Sequence, residues 1–105
     1  VDSSGTVANG GTLVLTANSS GASFTGFLAV TNVVAANAAI RTQTLYAVMG
    51  RGTSNFTATQ LGTVNGSTGA ASFTITCPSA GALTVTNTSG STTVVNMTYI
   101  GHNGG

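Results

Sequence analysis

Charge is what this chain has least of. Its 105 residues include two Arg and one Asp, with no Lys and no Glu, so charged residues make up 3% of it, where a soluble chain ordinarily carries about a quarter. Binding to nucleic acid is excluded, because displacing counterions from phosphates takes several cationic side chains, and Arg41 and Arg51 do not supply them. An anionic membrane surface is excluded on the same ground. One Asp and no Glu leave no carboxylate pair for glycoside hydrolysis. A Ser-His-Asp triad would have to draw on Asp2, at a chain end that orients a histidine poorly.

Other absences narrow the field further. The single cysteine, Cys77, allows no internal disulfide. It shares strand parity with Phe73 and Ile75, which assigns it to the core as a small hydrophobe rather than to a nucleophile pair with His102. One Cys, one His and one Asp, far apart, are not a zinc site, and a calcium cage wants several carboxylates. The Gly50-Arg51-Gly52-Thr53 stretch lacks the Lys and the helix of a phosphate loop; it reads as a loop with Arg51 exposed at its tip. The expectation is therefore a protein that is not an enzyme and has no metal or cofactor. Apolar runs are short, such as 27–30 and 33–36, far below the about 20 residues that span a bilayer. The first residues have neither the charged segment nor the apolar run of a signal peptide, so none is expected. Tryptophan is missing, and the aromatics are four Phe and two Tyr.

In place of charge stand Thr, Ser, Asn and Gly, which together fill more than half the chain. Thr, Val and aromatic residues suit pleated, half-buried surfaces, and Gly and Asn mark the turns between them. Runs of this kind fall at 12–16, 24–34, 42–49, 56–64, 72–77, 83–87 and 92–100. The turn signals separating them have the spacing of sandwiches and barrels. This predicts a single all-β domain over 1–105, an antiparallel β-sandwich of seven strands, or eight if 24–34 is broken, with 1–10 as an N-terminal arm, extended. The 24–34 run is apolar enough to be a central strand buried on both faces. Asn65-Gly66 is a hairpin signal, and the Ala-rich 33–40 stretch reads as a connection with at most a turn of 3₁₀ helix. The predicted core is Leu13, Leu15, Phe24, Phe27, Leu45, Phe73, Ile75, Cys77, Leu83 and Val85. Leu28-Ala29-Val30-Thr31-Asn32 echoes Leu83-Thr84-Val85-Thr86-Asn87, which so small an alphabet produces by chance.

Five Asn-x-Ser/Thr sequons, at Asn18, Asn55, Asn65, Asn87 and Asn96, are also within reach of chance in a chain where Ser and Thr approach a third. Candidate interface or ligand contacts are Arg41 and Arg51, for directional bonds between subunits, the aromatics Tyr46, Phe56 and Tyr99, and His102 in the C-terminal tail.

The segment Thr42-Gln43-Thr44-Leu45-Tyr46-Ala47-Val48-Met49-Gly50-Arg51-Gly52, then Leu83-Thr84-Val85-Thr86-Asn87-Thr88-Ser89-Gly90, then the closing Thr98-Tyr99-Ile100-Gly101 resemble small β-sandwich domains of bacteriophage virion proteins. These are capsid decoration proteins and the trimeric heads of tail fibres. The resemblance covers about the last two thirds of the chain. It implies a jelly-roll-like knob, trimeric, held at the virion surface by a major capsid or appendage protein, and it carries over no catalytic residue. The residues agree independently: a nearly uncharged surface favours association, no Lys guards the edge strands, and a closed oligomer would cover them. The expected function is a non-enzymatic virion structural protein, a trimeric knob decorating a capsid or capping an appendage, with the short chain favouring decoration. The alternative is a carbohydrate- or receptor-binding head whose partner is a glycan.

Overall fold

Alternation of β-branched and small polar residues produces eight strands among the described residues, every pair of them antiparallel. They are β1 (Asp2–Val7), β2 (Thr12–Thr16), β3 (Ser23–Val34), β4 (Arg41–Arg51), β5 (Ser54–Asn65), β6 (Phe73–Thr76), β7 (Ala82–Asn87) and β8 (Thr93–Asn103). The structure, a computed structural model, describes residues 1–17, 23–51, 54–79 and 81–103. The turn expected at 18–21, the sequon at Asn18, and Gly52 and Thr53 of the loop after β4 lie outside the described residues. The eighth strand is β1, in the segment expected as an arm, while 24–34 runs unbroken within β3. Residues 35–39 form turns, with Asn37 N–H donating to Val34 O at 3.1 Å and Ile40 N–H to Asn37 O at 3.0 Å.

The strands divide into sheets of five, in the order β1-β8-β3-β4-β5, and three, in the order β2-β7-β6. The first two strands pair with the last two, while β3, β4 and β5 form a plain meander within the larger sheet. Asn65-Gly66 does not close a hairpin. It carries the chain from β5 across to β6 in the other sheet, with Gly66 N–H donating to Arg41 O at 2.8 Å and Thr68 N–H to Ala39 O at 3.1 Å. A side chain at Gly66 would run into the Ala39 carbonyl, so the glycine serves close approach here rather than a tight turn.

The core lies between the sheets. Leu28, Val30 and Asn32 of β3, and Leu83, Val85 and Asn87 of β7, are all 0% exposed. The Leu-x-Val-x-Asn echo therefore has a structural basis: it is the same inward pattern on strands that face each other from the two sheets. The two asparagines join those sheets. Asn32 Nδ2 donates to Ala71 O at 3.3 Å, Ser72 O at 3.2 Å and Asn87 Oδ1 at 3.5 Å. Asn87 Nδ2 donates to Val7 O at 3.1 Å and Ser91 O at 2.7 Å, and its Oδ1 accepts from Ser89 N–H at 3.0 Å. Burial also makes Asn87 a poor glycan acceptor.

At the other end of the sandwich, the buried Phe24 ring lies 6.4 Å from Phe56 and 6.2 Å from Tyr99, the latter edge-on at 79°. Leu15, Phe24, Cys77, Leu83 and Val85 are buried, and Leu13, Phe73 and Ile75 sit half-buried at the margin. Phe27 and Leu45 are not core residues; they are 51% and 43% exposed. The smaller sheet covers one face of the larger one. β3 is therefore buried on one side only, and its odd-numbered residues face outward with those of β4.

Candidate functional site

The register of the larger sheet places its residues on two surfaces with different chemistry. The outer face has an apolar centre. Ile100, Phe27 and Ala47 lie side by side on β8, β3 and β4, with Leu45 and Met49 two residues either side of Ala47 along β4. Ile100 is 71% exposed and Met49 54%. Toward the β5 edge, Leu45, Leu61 and Val64 line a shallow hollow of about 340 Å³. Around this centre stand the charged and titratable side chains. Arg41 and Arg51 occupy the two ends of β4 with the same parity as Leu45, Asp2 lies opposite Thr98 on β1, and His102 pairs with Thr25 at the end of β8. An apolar centre with a polar rim containing Arg is the anatomy of a protein interface.

The inner face is covered only in part, because a three-stranded sheet is narrower than a five-stranded one. Beyond β6, the inward residues of β4 and β5 line a groove of about 250 Å³, opposite Ala70, Ser72 and Phe73. Its floor is built from cross-strand pairs: Tyr46 with Gln60, Thr44 with Thr63, and Thr42 with Asn65. A bulge sets this lining. Leu45 is opposite Gly62 but Tyr46 is opposite Gln60, so Leu61 is an extra residue in β5. Without it, strand alternation would aim Gly62 and Val64 into the groove; with it, Thr63 and Asn65 face in and Val64 faces out. The floor is held by hydrogen bonds, Thr42 Oγ1 to Asn65 Oδ1 at 2.9 Å and Thr44 Oγ1 with Thr63 Oγ1 at 3.1 Å, while Gln60 Nε2 donates to Thr63 Oγ1.

The six candidate contacts thus separate. Arg41, Arg51 and His102 share the outer face, and His102 belongs to a strand rather than a tail. Tyr46, Phe56 and Tyr99 face inward. Tyr99 is 3% exposed, and its hydroxyl donates to Thr25 O at 2.9 Å; burial raises its pKa, and it is a core residue that no ligand reaches. Phe56 packs on Phe24. Tyr46 is half-buried at the groove, its pKa raised by burial, with the hydrogen bond to Thr44 acting the other way.

Sequence reasoning missed Ile100, Met49 and Val64 on the outer face and Gln60, Thr63 and Asn65 in the groove. For the outer face a signal was present. Strands 24–34 and 42–49 carry apolar residues on both parities, which marks two covered faces, and the smaller sheet supplies only one cover. The bulge has no such signal.

Cys77 is buried, and its thiol donates to Ser79 O at 3.3 Å. Burial pushes the thiol pKa up, only partly offset by the backbone amides of Gly81 and Ala82. A raised thiol pKa leaves less nucleophilic thiolate at neutral pH. Alkylation of the native protein by iodoacetamide is expected to be slower than that of the urea-unfolded chain, and to accelerate only at a pH above that of an ordinary cysteine. Mass spectrometry over a pH series checks this; native alkylation as fast as unfolded would contradict it.

The fold and its two faces define an antiparallel β-sandwich module with one broad sheet surface left uncovered by the described residues. No protein-family model matches the chain, and no curated protein matches it. Among solved structures, the tailspike protein of Acinetobacter phage vB_ApiP_P1 contains a region of the same fold, with a TM-score of 0.60 and 22% sequence identity over 96% of this chain. The match occupies 19% of that tailspike, so the chain spans about a fifth of its length.

Proposed function

We propose that this chain is a non-enzymatic structural module of a bacteriophage virion, located at the particle surface, which assembles as a trimer through the outer face of its larger sheet. The observation that carries the reading is the fold match to part of a phage tailspike, extending over 96% of the chain. That match favours an appendage over capsid decoration as the place of attachment.

The outer face supports the assembly. The five strands lie about 4.8 Å apart, and four of them are eleven or twelve residues long, which offers on the order of 35 × 20 Å, close to the roughly 800 Å² per partner of a standard interface. Three copies turning this face toward a common axis would bury Phe27 and Ile100 at the centre and leave the two arginines at the rim.

Native mass spectrometry is expected to show a species of three times the 10.2 kDa chain mass. The mass should stay the same between low and moderate ionic strength, because burial of apolar surface is not screened as exposed charge pairs are. Phe27→Asp and Ile100→Asp each place a charge at the interface centre and are expected to give a folded monomer, with at least about a hundredfold loss of association, given several kcal/mol for an unpaired buried charge. A wild-type monomer, or a trimer that dissociates steeply as salt is added, would remove the assembly reading. Immunogold labelling of particles with an antibody to the folded chain is expected to mark the tail. Label on the capsid shell would make the chain a decoration protein, and unlabelled particles would remove the virion reading.

A further inference from the structure

The geometry points to the groove between β5 and β6 as a binding site for a neutral glycan, with Tyr46 and Phe73 as the stacking surface and Gln60 and Asn65 as the polar contacts. The inference stands apart from the assembly reading, since the groove opens on the opposite side of the larger sheet from the outer face.

Four features carry it. First, the lining has the composition a sugar requires. A pyranose ring presents an apolar face of C–H groups and an equator of hydroxyls that both donate and accept. Tyr46 and Phe73 give half-buried aromatic surface, and the amides of Gln60 and Asn65 supply donors and acceptors together. Second, among the described residues no charged side chain lines the groove. An anionic ligand would leave water without compensation there, whereas a neutral one loses only hydrogen bonds that the amides and hydroxyls replace. Third, the groove is walled by hydrogen-bonded backbone. Its far wall is tied down by Asn32 Nδ2 on the carbonyls of Ala71 and Ser72, and by Ala71 N–H donating to Thr42 Oγ1 at 2.9 Å. Preformed walls reduce the ordering that binding would otherwise cost. Fourth, the β5 bulge turns Thr63 and Asn65 inward in place of Gly62 and Val64. A strand serving only the core gains nothing from that exchange, and bulges recur where a side chain must be re-aimed beside a site. The volume of about 250 Å³ falls just below the roughly 300 Å³ of pockets for drug-sized ligands, which sets the occupant at one or two sugar residues at a time.

Maltose, lactose and diacetylchitobiose, each titrated to millimolar concentration into the ¹⁵N-labelled protein, are the probes, with sialyllactose as the anionic comparison. At least one neutral disaccharide is expected to shift the backbone amides of 42–46, 60–65 and 70–73 in a saturable manner, and sialyllactose to do so more weakly. Gln60→Ala removes an exposed amide without touching the core, and Tyr46→Ala removes the stacking surface. Each is expected to weaken binding about tenfold while leaving the native mass unchanged. Should Tyr46→Ala fail to fold, Tyr46→Phe and Gln60→Ala still test the site. The proposal is overturned if no neutral disaccharide shifts these amides, if sialyllactose binds at least as tightly, or if the response survives Gln60→Ala undiminished. Phe27→Asp, which tests the assembly, is expected to keep the glycan response, so the two readings fail separately.

Discussion

Asn87→Ala is expected to lower the unfolding free energy by about 3 kcal/mol, because it removes several buried hydrogen bonds and strands their partners. Asn87 holds Val7 O, Ser91 O and Ser89 N–H, and receives the amide of Asn32. Alanine leaves carbonyls and N–H groups from three parts of the chain partly unsatisfied, with Val7 brought from β1 and Asn32 from the opposite sheet. In a domain of typical stability, about 5–15 kcal/mol, that is a large share, and Tm should fall by on the order of 15 °C. Urea denaturation checks it: the midpoint should drop at unchanged m-value. The Asn32→Ala, Asn87→Ala double variant should lose measurably less than the sum of the single losses, since the two share a contact. A loss under about 1 kcal/mol, the worth of one ordinary hydrogen bond, would mean that water or a rearranged backbone replaces the network.

Phe24→Ala is expected to cost about 4 kcal/mol, the usual range for truncating a buried phenylalanine. The ring is 1% exposed. It packs against Phe56 and, edge-on, against Tyr99, and lies directly on Gly50, where a Cβ would come within 2.9 Å of it. Removing it leaves a cavity that Gly50 has no side chain to fill. Because the chain has no Trp, the near-ultraviolet circular dichroism arises mainly from its two Tyr and four Phe, and the variant should lose much of that signal while keeping its strand signature. Retention of both signal and midpoint would show that Phe24 is not the centre of this end of the core.

The two variants probe features of unequal visibility in the sequence. Phe24 is an aromatic inside an apolar run, and composition alone assigns it to the core. Asn87 ends a polar strand inside a sequon and looks like surface. Its role follows from the inward parity it shares with Leu83 and Val85, and from the matching position of Asn32 on the facing strand. The same limit explains Phe27 and Leu45. Their hydrophobicity is plain, but hydrophobicity names a need for cover without saying what provides it. Leu28 and Phe27 are equally apolar neighbours, and only parity against the smaller sheet separates the buried one from the exposed one.

The strands were legible because their signals are local. β2 was delimited at its observed ends, and seven runs of Thr and Val became seven strands, since alternation and turn residues act within a few positions of each other. The all-β class also follows from composition, as does the lack of a second carboxylate beside Asp2. The split of strands into five and three, the crossing at Asn65-Gly66 where a hairpin was expected, and the Leu61 bulge were decided by the tertiary structure, because each depends on which distant strand lies alongside. Charge shows the difference most directly. The sequence states that there are two arginines, one aspartate and one histidine. The antiparallel register is what brings residues 2, 41, 51 and 102 to the margin of one sheet face, around an apolar centre that none of the other described residues covers.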